Sequence, residues 1–194
     1  VTRDSPAEGR RAGLARVTLR PPVAGDQDEF LGLVAASVDL HRPWMSPPST
    51  PVEFAAYLAR YAGPDEESLL VCRRDTGAIA GFVNINSIIR GRFQNGSLGY
   101  AAFAPSADQG YMSEGLGLVM RHAFERLRLH RLEAQIQPGN HASLRLVRRA
   151  GFRHEGLSPE LLFIDGAWRD HERWAITGSM VDCAARPHPT LPAR

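Results

Sequence analysis

The stretch from Asp108 to Phe152 restricts the fold more than any other part of the chain. Asp108-Gln109-Gly110-Tyr111-Met112-Ser113-Glu114 is a small polar turn that opens the strongest amphipathic helix in the sequence. Met112, Leu116, Val119, Met120, Ala123, Phe124 and Leu127 recur at helical spacing and form its apolar stripe. Arg131 to Gln137 alternates, with Leu132, Ala134 and Ile136 on one face of a strand. Asn140-His141-Ala142-Ser143 then opens a second helix, which ends at Ala150-Gly151-Phe152 with Gly151 in the C′ position. The first turn of each helix carries amides without intrahelical partners, at the positive end of the helix dipole. Two such ends with a strand between them suit a phosphate-bearing ligand, which argues for an enzyme that uses a nucleotide-like cofactor.

The remaining elements define the class of fold. Ala15 to Arg20 reads as a strand, and Asp26 to Val38 as a helix with Phe30, Leu31, Val34 and Val38 on one face. A proline-rich loop follows, then a short helix with Phe54, Tyr57, Leu58 and Tyr61 at helical spacing and Gly63-Pro64 as its stop. Ser68–Arg73 and Ala78–Ile88 form a strand pair across Asp75-Thr76-Gly77, and Gly96–Phe103 is a third antiparallel strand. His154–Ile164 and Trp168–Thr177 close the series across Asp165-Gly166, a strong hairpin signal. The order β-α-α-β-β-β-α-β-α-β-β predicts a mixed α/β (α+β) fold with a sheet flanked by helices, not strict doubly wound alternation. Residues 1–13 are expected to be a flexible leader, 14–180 a single domain and 181–194 a disordered, proline-rich tail.

Composition narrows the function. Hydrophobic residues at 43% and charged residues at 23% suit a soluble globular protein, and a formal charge of +2 is too small to imply nucleic acid. Cys72 and Cys183 offer no disulfide framework, and no apolar run approaches membrane-spanning length, so a cytoplasmic protein without a membrane partner is expected. Asn95-Gly96-Ser97 reads as a turn rather than a glycosylation site. A P-loop lysine and a dinucleotide fingerprint are both missing, and His171, flanked by Asp170 and Glu172, has no second ligand at metal spacing, so no metal site is expected. Gly115 and Gly117 each weaken a helix by about 1 kcal/mol, so something packs against that backbone, either a ligand or the sheet.

Gly110-Tyr111-Met112-Ser113-Glu114, Asn140-x-x-Ser143 and Ala150-Gly151-Phe152 together resemble the GNAT superfamily of acyl-CoA-dependent N-acyltransferases, and more finely its RimJ/RimL-type ribosomal-protein N-terminal acetyltransferases. Ile89-Arg90-Gly91-x-Phe93, Leu98-Gly99-Tyr100, Arg153-His154-Glu155-Gly156, Pro43-Trp44 and Ile164-Asp165-Gly166-x-Trp168-Arg169-Asp170-His171 extend the resemblance over roughly Val17 to Ile176. It implies a central, mostly antiparallel, splayed sheet of about seven strands flanked by four helices, with strands Leu98–Phe103 and Leu132–Gln137 parting. Ala107, Asp108 and Met112 depart from the family's pyrophosphate loop, where Gln or Arg, Gly, and Gly or Ala are usual.

The same resemblance implies acetyl-CoA as cofactor, held by Ala102, Phe103, Ala104, Gln109, Gly110, Tyr111, Met112, Ser113, Asn140 and Ser143. Transfer to a primary amine is expected by direct attack on the thioester. Glu160 is the candidate base through water, and Ser143 or Tyr100 the candidate donor to the leaving sulfur; their plain alternatives are an exposed strand carboxylate, helix packing and a core tyrosine. Trp44, Phe93 and Trp168 are expected to frame the acceptor, although the Trp168–His171 segment would equally brace its hairpin through an Arg169–Asp170 pair. A protein N-terminus leads as acceptor. A small amine or antibiotic, and a non-catalytic acyl-CoA sensor, are the alternatives, in a monomer or homodimer.

Overall fold

The computed structural model describes residues 15–181. The expected leader, the expected tail except Val181, and Cys183 lie outside them. Seven strands are present: β1 (Val17–Arg20), β2 (Glu67–Arg73), β3 (Ile79–Ile89), β4 (Asn95–Ala102), β5 (Arg131–Ile136), β6 (Arg153–Ile164) and β7 (Ala167–Thr177). They form one sheet in the order β1-β2-β3-β4-β5-β7-β6. Every neighbouring pair is antiparallel except β4 and β5. The helices are α1 (Gln27–Ala35), α2 (Val38–His41), α3 (Pro51–Arg60), α4 (Tyr111–Glu125) and α5 (His141–Arg149). This is the mixed, mostly antiparallel fold expected, with one more helix than the pattern indicated.

The extra helix has a local cause. The expected helix over Asp26–Val38 breaks at Ser37, whose hydroxyl donates to the Leu33 carbonyl at 2.6 Å and accepts from the Ala104 amide at 2.9 Å. A serine that bonds back to the preceding turn offers the backbone an exit from the helix, and α2 restarts beyond it. At α3, Thr50 accepts from the Glu53 amide at 3.2 Å while Glu53 reaches back to the Thr50 amide, and Pro51 stands at N1. This capping box starts the helix before the apolar spacing becomes visible. Asn95-Gly96-Ser97 lies in β4 rather than in a turn, because Asn95 already pairs with Ile89 and Arg131.

The sheet is packed on both faces. Leu116, Val119, Met120, Ala123 and Phe124 of α4, with Leu144 and Val147 of α5, cover one face against Leu132, Ile136, Trp174 and Ile176. The other face is aromatic: Phe30 of α1 meets Phe54, Phe82 and Phe103 with ring centroids 5.1, 5.7 and 5.4 Å apart. Both layers hold β3 and β4 firmly. The interruption comes next to them: the parallel β4–β5 ladder runs only from Asn95↔Arg131 to Leu98↔Ala134, after which the two strands part.

Candidate active site

Where β4 and β5 separate, a cleft of about 510 Å³ passes between them. Leu98 to Ala102 form one wall and Ala134 to Gln137 the other. Gly110, Met112 and Ser113 at the start of α4 border one end of it, together with Asn140, Ser143, Arg145 and Arg149 of the α5 segment. His41 and Trp44, from α2 and the loop after it, contribute further wall.

The α4 turn is built for close approach of an anion. Gly110 caps the helix at φ 83°, a conformation only glycine adopts freely, and Asp108 takes φ 56°, which aspartate tolerates better than most residues. The Ser113 and Glu114 amides turn back onto the Gly110 carbonyl, leaving the amides just before them at the open end of the helix. Arg16 fixes this turn from behind: its guanidinium donates to the Gln109 carbonyl at 3.0 Å, pairs with Glu114 and lies over the Tyr111 ring. The Glu114 carboxylate in the first turn is thereby occupied. Met112, unusual at its place in the loop, is accommodated by Gly81 of β3, where a Cβ would lie 2.5 Å from the Met112 sulfur. Asp108 makes no hydrogen bond or ion pair among the described residues and lines the cleft.

Farther in, the Asn140 side chain accepts from the Ser143 amide at 3.1 Å, so Asn140 caps α5 and presents Ser143 to the cleft. The Tyr100 hydroxyl is buried without a hydrogen bond of normal geometry among the described residues. Burial pushes its pKa up to about 12, with the Ser143 side chain opposing the rise. Tyr100 is therefore a neutral phenol on the wall of the cleft. On the same strand His41 Nε2 lies 2.8 Å from the Ala102 carbonyl, which accepts its proton.

Of the residues expected at the site, Trp44, Tyr100, Ala102, Gly110, Met112, Ser113, Asn140 and Ser143 line the cleft together. The others are placed elsewhere. Phe103 is fully buried and its amide bonds to Ala80; the Ala104 amide is taken by Ser37. Gln109 folds back on Pro105, and Tyr111 packs into the core beneath Arg16. Glu160 is exposed on the bulged edge strand β6, one strand removed from the cleft, and its amide donates to Asp170 at 2.8 Å. Phe93, 51% exposed, sits in the loop just before β4, beside the end where the ladder to β5 is closed. Trp168, 60% exposed, packs edge-on against Phe163 near the hairpin tip, beyond the end of β5. Arg169 and Asp170 do brace this hairpin, but each reaches across to β6 (Ile164 and Glu160) rather than to the other.

Several cleft residues carried no local signal. His41 and Gln135 line it without belonging to any motif, His171 ends a motif that gave it no role at the site, and Arg16 acts on a turn far away in the chain. Arg145 and Arg149 were findable: they stand one helical turn apart on α5, on the side that lines the cleft. Gly139 was also informative, since a Cβ there would come 3.3 Å from the Trp44 ring.

A splayed parallel pair beside a helix N-terminus defines an acyl-CoA-dependent transferase fold, and comparison with known proteins agrees. Residues 16–153 match the acetyltransferase (GNAT) domain family, and the chain belongs to it. It is an N-acetyltransferase whose acyl donor is acetyl-CoA. Bacillus subtilis (strain 168) YjcK, named a probable N-acetyltransferase, is 29% identical over 168 residues, covering 82% of this chain and 93% of that protein. The Escherichia coli (strain K12) [ribosomal protein uS5]-alanine N-acetyltransferase is 36% identical over 103 residues, 53% of each chain. The solved structure of Mycobacterium smegmatis RimJ in complex with CoA-disulfide superposes with a TM-score of 0.79 at 25% identity, covering 86% of this chain and 84% of that one.

The residues present fit this donor. The open α4 amides with Arg145 and Arg149 suit its phosphates, and the gap between β4 and β5 suits a narrow extended arm. When bound, acetyl-CoA supplies the activated acyl carbon. Facing it, the cleft carries the α4 turn with Arg145 and Arg149, and the buried Tyr100 hydroxyl on the β4 wall.

Proposed function

We propose that this acetyltransferase acts on the α-amine of a protein N-terminus of the ribosomal-protein type, by direct attack of that amine on the thioester. The observation that carries this reading is the charge of the cleft. Among the described residues lining it, Asp108 is the sole carboxylate, and it belongs to the α4 turn that meets the phosphates. The wall away from that turn is made by Trp44, His41, Gln135 and Gln137, which are aromatic or amide-bearing. A polycationic small amine calls for several carboxylates around its ammonium groups. A peptide N-terminus needs an aromatic wall and amides that bond to its backbone. An α-amine, with an ordinary pKa near 7.7–8.0, is also easily made neutral for attack. The kinship with the uS5-alanine enzyme supports the same acceptor class.

The test is thiol release from acetyl-CoA with a peptide that begins with alanine, compared with the same peptide N-formylated and with spermidine. Turnover confined to the free-amine peptide is expected. Faster turnover with spermidine would replace this reading with a small-amine acetyltransferase.

A further inference from the structure

We propose that His171 is the catalytic base that takes the proton from the attacking amine; this rests on the N-acetyltransferase reading above. His171 is only 2% exposed, yet it lines the cleft. Ile136 pairs with Glu172, so His171 stands on β7 just beyond the end of β5, where the strands have parted. Its Nδ1 is 2.9 Å from the Arg169 carbonyl. A carbonyl only accepts, so Nδ1 carries the proton, and in the neutral ring Nε2 is left as a lone pair. No described residue bonds to that nitrogen.

The other titratable groups on the cleft walls are set up differently. His41 is wired the opposite way round: Nε2 donates to the Ala102 carbonyl, and its lone pair falls on Nδ1, which is itself sealed from solvent without a partner. Tyr100 is held protonated by burial. Asp108 belongs to the phosphate turn, and arginines only donate. Glu160 does not reach the cleft. Among the described lining residues, His171 alone offers a nitrogen lone pair free to meet an incoming amine.

The step balances. The amine nitrogen bonds to the carbonyl carbon and the carbon–sulfur bond breaks. One amine proton passes to Nε2, and the departing sulfur takes a proton from the Tyr100 hydroxyl. His171 then gives up its extra proton, and Tyr100 recovers one, through water. Asp170 and Glu172 flank His171 on β7, with Arg169 and Arg173 two residues away; His41 of α2, Tyr100 of β4, Arg145 and Arg149 of α5, and Asp108 share the cleft lining with it. β6 presents Ser158 opposite it, and β5 ends in uncharged Gln135 and Ile136, with Gln137 just beyond.

His171→Asn separates the two ring nitrogens, because its amide N–H replaces Nδ1–H toward Arg169 while nothing replaces Nε2. Expected are a kcat at least about 100-fold lower with acetyl-CoA and the alanine peptide, loss of the acidic limb of the kcat–pH profile, and an acetyl-CoA Kd within about twofold by calorimetry. A kcat within threefold of the parent with that limb retained overturns the proposal. Independently of turnover and of the variant's folding, 15N spectra of histidine-labelled protein with acetyl-CoA bound should show His171 protonated on Nδ1 and bare on Nε2. A proton on Nε2 throughout the active pH range overturns it as well. If the parent protein releases no thiol with any amine, the activity reading and this assignment fall together; if the parent turns over and His171→Asn matches it, only the assignment falls.

Discussion

A buried hydroxyl left without a partner costs about 1–3 kcal/mol, and Tyr100 keeps one at the wall of the cleft. Such an orphan is retained where something else completes it, and in the step proposed above the departing sulfur is that group. Tyr100→Phe should therefore move two readouts in opposite directions. Its melting temperature should hold or rise by a few degrees, while kcat falls about 100-fold and acetyl-CoA binding stays unchanged. Loss of stability in step with activity would make Tyr100 a packing residue. Asp108 is the second residue whose cost points to function. It holds φ 56°, and it lines the cleft beside the N-terminus of α4, where a phosphate would meet a like charge. Asp108→Gly relieves both, and a single repulsion of about 1 kcal/mol corresponds to an acetyl-CoA Kd about fivefold tighter by calorimetry, with the gain shrinking as salt is added.

At the scale of elements, the two unusual glycines of α4 have different reasons. A Cβ on Gly115 would lie 2.8 Å from both Val71 methyls, so this glycine lets the helix sit down on β2. A Cβ on Gly117 would meet nothing within 4 Å. Gly115→Ala should destabilise by about 1–3 kcal/mol in urea melts, whereas Gly117→Ala should stabilise by up to about 1 kcal/mol by improving helix propensity. Sequence alone could not separate them, because the difference lies in which face of α4 meets the sheet. What it did show was set by short-range chemistry. The α4 stripe, the Asn140 cap, the left-handed Gly151 and the Asp165-Gly166 hairpin all depend on neighbours within a few residues. The contacts it missed span the chain: Arg16 on Gln109, Ser37 on Ala104 and His41 on Ala102. The sequence pattern placed Glu160 and Trp168 in the right strands but could not say that β6, the hairpin tip and the Phe93 loop before β4 lie away from the gap.

For the whole molecule, one ion pair joins the first strand to the first helix. Asp26 accepts from Arg20 Nη1 and Nη2 at 2.7 and 2.6 Å and from the Val23 amide at 2.8 Å, and Arg20 holds its carboxyl below the usual carboxylate range. A carboxylate lowered in the folded state binds fewer protons there than in the unfolded chain. Its contribution is thus complete above the ordinary value of 3.8 and drains away as pH falls through the folded value. Asp26→Asn should cost about 2 kcal/mol at pH 7 and flatten the decline of stability below pH 4, as measured by urea unfolding at stepped pH.

The short parallel ladder between β4 and β5 has its own consequence. Four rungs stitch the β1–β4 half of the sheet to the β5–β7 half, and beyond Leu98 and Ala134 the seam is left unsewn. A guest lodged there leans on both halves at once and becomes the thread that finishes the join. Acetylation by this protein is thus tied to its own cohesion: the body is most nearly whole while it holds the molecule it is about to spend.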